Sequence, residues 1–135
     1  MKHEDTKGTK DYDERLSFVI IGAALEVHRA LGPGLLESAY EACVCHELSL
    51  RGIELQRQIP LPLLYKGVRL DCAYKIDLFV EDRLVVELKA VDRVPRIASI
   101  QLLTYLRLLD RRLGLLINFH ERSLRNGVRR VVNGW

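Results

Sequence analysis

The sequence predicts a single α/β (α+β) domain: a central mixed sheet of about four to five strands flanked by helices, in the order ααβββαβ with room for a final strand. Three observations carry this. Apolar residues keep a helical spacing to residue 50, alternation takes over from about 54 to 90, and a proline-led helix followed by a short unbroken apolar run comes last. At 135 residues the chain has the length of one domain. Residues 13–135 are expected to form it, with residues 1–12 a flexible tail.

From Asp13 to Leu31, apolar positions 16, 19, 20, 23, 24, 27, 30 and 31 line one helical face, and Gly32-Pro33-Gly34 ends it. A second helix is expected from about Leu36 to Leu50, with Gly52 placed as its C-terminal cap. The alternation of Ile59, Leu61, Leu63 and Tyr65, the Lys66-Gly67 turn, and strand-like runs at about 73–80 and 84–90 then form an antiparallel meander. Pro60 and Pro62 place its first strand at an edge or interrupt it. Pro95 suits the first turn of a third helix whose apolar face includes Ile97, Ile100, Leu103 and Leu106. Leu113 to Phe119 has the composition of a strand covered on both faces and paired in parallel, and a last strand at Val128 to Val132 follows the Asn126-Gly127 turn.

Composition excludes several classes. No apolar run approaches the roughly 20 residues that cross a bilayer, so no membrane partner is expected. Met1 to Glu14 is polar and lacks the core of a secretory signal, and three cysteines without paired spacing make no disulfide framework. The expectation is a cytoplasmic protein with buried thiols. The net charge of +3 is unevenly spread: residues 93–135 hold nine Arg and no Lys against Asp110 and Glu121, a net +7, which leaves −4 for the rest. Arg suits phosphate recognition, so a polyanionic partner fits, although a salt-bridged surface would read the same way.

The chemistry concentrates in the second hairpin. With its turn at Glu81, Asp82 and Arg83, Asp77 falls opposite Glu87. One face then carries Ile76, Leu78, Val80, Leu84, Val86 and Leu88, and the other Lys75, Asp77, Phe79, Val85, Glu87 and Lys89. Opposed acids destabilise a sheet by roughly 0.2–1 kcal/mol, which a divalent cation would offset. Lys89, on the same face, can orient or deprotonate a water or neutralise charge on a phosphate. A solvated strand face with Lys89 as counter-ion of Glu87 is an equally ordinary reading of the hairpin alone. Glu37, in the first turn of the second helix, with Tyr40 three residues on, adds a carboxylate favoured by the helix dipole.

Gly34-x-x-Glu37-x-x-Tyr40, followed by Tyr74-Lys75-Ile76-Asp77, Glu87-Leu88-Lys89 and Gln101-x-x-x-Tyr105, resembles the GxxExxY protein family. That family in turn resembles the PD-(D/E)XK nuclease superfamily, over nearly the whole chain from about residue 16 to Asn133. The resemblance implies a PD-(D/E)XK nuclease-like domain and a metal-dependent nuclease acting on DNA. By the same similarity Asp77, Glu87 and Glu37 bind Mg²⁺ or Mn²⁺, and Lys89 positions the attacking water. Tyr40, Gln101 and Tyr105 support the site or contact substrate; a helix polar edge and a core tyrosine would equally explain the last two. Small members of the superfamily often work as dimers, and a homodimer is compatible with so short a chain. Relatives often carry a His three residues before the Gln, where this chain has Ala98, which would slow it or alter its substrate choice.

Other groups carry less. His28, His46 and His120 lack metal-ligand spacing, Gly22 and Gly32-Pro33-Gly34 lack the Lys-Ser/Thr of a phosphate loop, and Ser38 and Ser99 have no discernible triad partners. A second function class stays open: a non-catalytic module that uses the same fold to bind nucleic acid or protein. Retention of every chemically competent residue argues against it.

Overall fold

The computed structural model describes residues 7–71 and 74–134. Helix α1 (Lys7–Leu31) buries Leu16, Ile20, Ala23, Ala24 and Val27, the spacing the sequence carries. It begins six residues ahead of the expected Asp13, so residues 7–12, expected in a tail, are helical. The reason is polar. Asp13 is fully buried and pairs with Arg83 at 3.0 Å, Glu14 pairs with Arg112 at 3.1 Å and with Arg130, and the Tyr12 hydroxyl donates to Glu81. Tertiary partners fix turns that carry no apolar periodicity.

Helix α2 (Glu37–Leu50) follows the Gly-Pro-Gly break. Strands β1 (Leu55–Pro60), β2 (Leu63–Tyr65), β3 (Val68–Leu70), β4 (Lys75–Val80) and β5 (Leu84–Lys89) come next, then α3 (Arg96–Leu109), β6 (Leu113–Asn118), a 3₁₀ turn (Leu124–Gly127) and β7 (Val128–Val132). The main sheet has five strands in the order β1-β4-β5-β6-β7, with β5 and β6 parallel and the other neighbours antiparallel. The mixed sheet and the final strand are as expected. The first strand of the meander is both at an edge and interrupted, as Pro60 and Pro62 imply. Beyond them β2 and β3 form a separate two-stranded ribbon around the Lys66-Gly67 turn. A 3₁₀ turn, not a two-residue hairpin, leads into β7. Of the run at about 73–80, Ala73 lies outside the described residues, as does Cys72.

The sheet is covered on both sides. Helices α1 and α2 pack on Leu78, Val80, Leu84, Val86, Leu88, Leu113, Leu115 and Ile117, while α3 packs on Ile76, Phe79, Val85 and Leu116. Helix α3 docks through Ala98, Leu102 and Leu106, and the expected Ile97 and Ile100 are more than half exposed. Gly114 leaves room for this docking, because a β-carbon there would meet Leu102 at 2.9 Å. Cys43 and Cys45 are half-buried at the edge of the larger core, less deep than expected. His28 and His120 serve packing, each ring meeting a backbone carbonyl, of Glu121 at 2.7 Å and of Leu35 at 3.1 Å.

Candidate active site

Strands β4 and β5 pair Leu78 with Val86, Phe79 with Val85 and Val80 with Leu84, the register read from the sequence. Continued by one step, that register sets Asp77 across from Glu87, but there the backbone ladder gives way to side chains. The Asp77 N–H donates to Glu87 Oε2 at 2.7 Å, and the Leu88 N–H donates to Asp77 Oδ2 at 2.8 Å. Each carboxylate thus has one oxygen fixed by the opposite strand.

The neighbouring strand is irregular at the same level. Arg57 pairs with Leu78 and Ile59 with Ile76, yet Gln58 between them adopts a left-handed backbone, φ 51°. The register is the same on either side, so no residue is inserted; the chain flips locally. Consecutive residues Arg57 and Gln58 consequently both reach Glu41 of α2, which neighbours in a regular strand, facing opposite ways, would not. In β4, Ile76 packs on the α3 side with Phe79, three residues away, and not with Leu78 as alternation predicts. The other five apolar residues of the expected dry face do lie together under α1 and α2.

Glu37 opens α2, where the positive end of the helix dipole lies, and accepts a hydrogen bond from the Ala90 backbone. The acidities place it with the hairpin. Glu37 is held above the usual carboxylate range by partial burial, with Asp77 and Glu41 adding repulsion and Lys89 opposing it. Asp77 is raised by burial and by Glu41 and lowered by the Leu88 N–H, Gln58 and Lys89. Glu87, 9% exposed, is pushed up to about 8, first by burial and then by Asp77. Lys89 therefore stands within electrostatic reach of all three carboxylates.

Tyr40 is fully buried and committed. Its hydroxyl donates to the Gly32 carbonyl and accepts from the Leu35 N–H at 3.1 Å, and its ring stacks on Phe119 at 4.4 Å. It clamps the turn that delivers Glu37. Tyr105, half-buried, is raised by burial, Glu87 and Asp77, and its ring lies 6.3 Å from that of Tyr74. Gln101 is exposed one turn earlier, and Ala98 is packed in the α3 core.

Sequence reasoning missed Glu41 and Gln58. Glu41 follows Glu37 at one-turn spacing, a signal that was available; a left-handed glutamine inside a strand leaves none. An open groove of about 630 Å³ is lined by Leu36, Glu37, Ser38, Glu41 and Gln58. A larger one, about 780 Å³, lies toward the Glu81-Asp82 turn and holds none of these acids.

The donor set suits a hard divalent cation in type and charge. Its donors are carboxylate oxygens, and Asp77 and Glu87 are held above the usual carboxylate range first by burial and then by neighbouring acids, a penalty on the charged form that a cation would offset. Among the described residues no three acid, imidazole or thiol groups are already gathered as a metal site. Mg²⁺ does not require that, since one or two carboxylates suffice when waters and substrate phosphates complete the shell. No curated protein and no solved structure matches the chain. A family model described as the PD-(D/E)XK nuclease superfamily matches residues 14–131, and the chain, with its mixed sheet and acidic hairpin, belongs to that superfamily.

Proposed function

We propose that the protein is a Mg²⁺- or Mn²⁺-dependent nuclease that hydrolyses phosphodiester bonds of DNA, with Asp77 and Glu87 as the cation's carboxylates. The observation that carries this is their reciprocal bonding: each spends one oxygen on the opposite backbone, which aims the group without neutralising it. A bound divalent cation would supply acidity to a water and positive charge to the scissile phosphate. Lys89 orients that water or meets a phosphate oxygen, and Glu37, from the lining of the groove, adds a third carboxylate to the cation's surroundings. Gln101 and Tyr105 lie on the α3 side, where substrate would pass.

Nucleic-acid binding is supported by the arginines. Arg112 and Arg130 are spent on Asp13 and Glu14, and Arg111 on Asp82. Arg93, Arg96, Arg107, Arg122, Arg125 and Arg129 are exposed and form no ion pair among the described residues. Arg93 and Arg96 follow β5, whose last residue is Lys89, and Arg122 and Arg125 follow β6, so all four belong to the connections that leave the carboxyl ends of the parallel pair, a rim of cations. Such cations suit a phosphate backbone.

A panel of defined DNA and RNA substrates with Mg²⁺ or Mn²⁺ tests the reading. Divalent-dependent cleavage, lost in Asp77→Ala while the fold persists, is expected; undiminished cleavage by that variant would refute it. The second reading, a binding module without catalysis, draws on the lack of a ready three-donor metal site among the described residues. Calorimetric titration with Mn²⁺ separates them, since the module takes up no ion and is indifferent to Glu87→Ala.

A further inference from the structure

The geometry points to Gln58 as a positioning residue for Asp77, a role that rests on reading Asp77 as the cation's ligand. The Gln58 side-chain amide donates to Asp77 Oδ1 at 3.3 Å and to Glu41 Oε1 at 2.8 Å. Both partners are carboxylate oxygens, so the amide must turn its nitrogen, and not its oxygen, toward them. With Oδ2 held by the Leu88 N–H, the Gln58 contact leaves both oxygens of Asp77 directed and the plane of the carboxylate fixed.

The chemical type of the donor matters. A lysine or arginine here would direct Asp77 equally well and would also neutralise it, competing with a cation. The neighbouring guanidinium, Arg57, is spent on Glu41 at 3.0 and 3.2 Å, which leaves the neutral amide for Asp77. Glu41, 7% exposed, in turn anchors the amide and ties the hairpin to the helix that carries Glu37. The backbone is bent to this purpose. A glutamine at φ 51° bears a conformational cost that glycine would avoid, and the flip is what turns residue 58 to the same side as Arg57.

Two variants separate the amide from the backbone. Gln58→Gly removes the amide and relieves the left-handed strain; Gln58→Ala removes the amide and keeps the strain. Both are expected to weaken Mn²⁺ binding, measured calorimetrically, by about 10–100-fold, as loss of a partner behind a metal ligand does. They should lower kcat with little change in KM for the nucleic acid, while Gln58→Gly melts at or above the wild-type temperature and Gln58→Ala below it. Gln58→Gly with Mn²⁺ affinity within about twofold of wild type would overturn the inference and leave Asp77 in place. Wild-type protein that binds no Mn²⁺ would overturn the cation reading and this one with it.

Discussion

Asp77 and Glu87 face each other across β4 and β5 where the backbone ladder stops, the Asp77 N–H donating to Glu87 Oε2 at 2.7 Å and Asp77 Oδ2 accepting from Leu88 at 2.8 Å. The pair is tied through backbone and repelled through charge. Asp77→Asn keeps an oxygen for the Leu88 N–H and removes the repulsion. In chelator at about pH 9, where Glu87 is ionised, it should melt a few degrees higher than wild type. Divalent-dependent cleavage should fall by at least about a hundredfold, the upper end of the loss seen for groups that only support a ligand. A variant that melts lower and cleaves normally contradicts both halves.

The pH dependence of stability follows from Glu87. Its carboxyl is raised from 4.5 to about 8, so across that window the folded protein keeps a proton that the unfolded chain has released. Stability from this group is therefore greatest at low pH and declines as pH rises from about 4.5 to about 8, by something on the order of a few kcal/mol. Asp77 and Glu37 shift in the same direction and add to the decline. Urea unfolding in chelator at about pH 5.5 and about pH 8.5 measures it. Glu87→Gln should flatten the slope; parallel slopes for variant and wild type would show that Glu87 does not titrate in this range.

The hairpin was legible because all six residues of its expected inward face are apolar and a one-residue slip would bury charge, so alternation alone set the pairing of Leu78 with Val86. The same alternation misplaced Ile76, since it cannot register the local flip at Gln58 or the irregularity it accompanies in β4. Helix α3 was found from its period but rotated: Ile97 and Ile100 are as apolar as the residues that pack, and the docking of Ala98, Leu102 and Leu106, with Leu102 seated over Gly114, depends on sheet residues that no local spacing reveals. The amino-terminal part of α1 is tied through Tyr12 to Glu81 and, at Asp13 and Glu14, to Arg83, Arg112 and Arg130, partners about 70 or more residues distant, which no local spacing reveals.

Tyr40 is a structural clamp, and its removal should be felt as stability before activity. Tyr40→Phe keeps the stack on Phe119 and deletes the hydroxyl between the Gly32 carbonyl and the Leu35 N–H. Two backbone groups lose their partner, a cost of about 1–3 kcal/mol that shows as a lower urea midpoint. Cleavage should decline less than in Glu37→Ala, because the turn loosens without losing the carboxylate. An unchanged midpoint would mean that the turn holds Glu37 without Tyr40.

The arginines divide into those that hold the fold and those free to meet phosphate, and two experiments tell them apart. Arg112 is 8% exposed, lies 3.7 Å from the buried Asp13 and bonds Glu14 at 3.1 Å; Arg83 and Arg130 still pair with those carboxylates when it is gone, so Arg112→Ala should cost about 1–3 kcal/mol in unfolding free energy through lost packing and one lost charged bond. Arg93→Ala and Arg122→Ala remove exposed cations without an ion-pair partner among the described residues and should stay within about 0.5 kcal/mol of wild type. For nucleic-acid binding the order reverses. Each rim substitution should reduce the slope of log affinity against log salt by about 1, through one fewer phosphate contact. Fluorescence anisotropy with a labelled oligonucleotide across salt concentrations, using Asp77→Asn to prevent cleavage, gives that slope directly. A slope untouched in both rim variants would move the phosphate path away from the carboxyl ends of β5 and β6, toward Arg107 and Arg129.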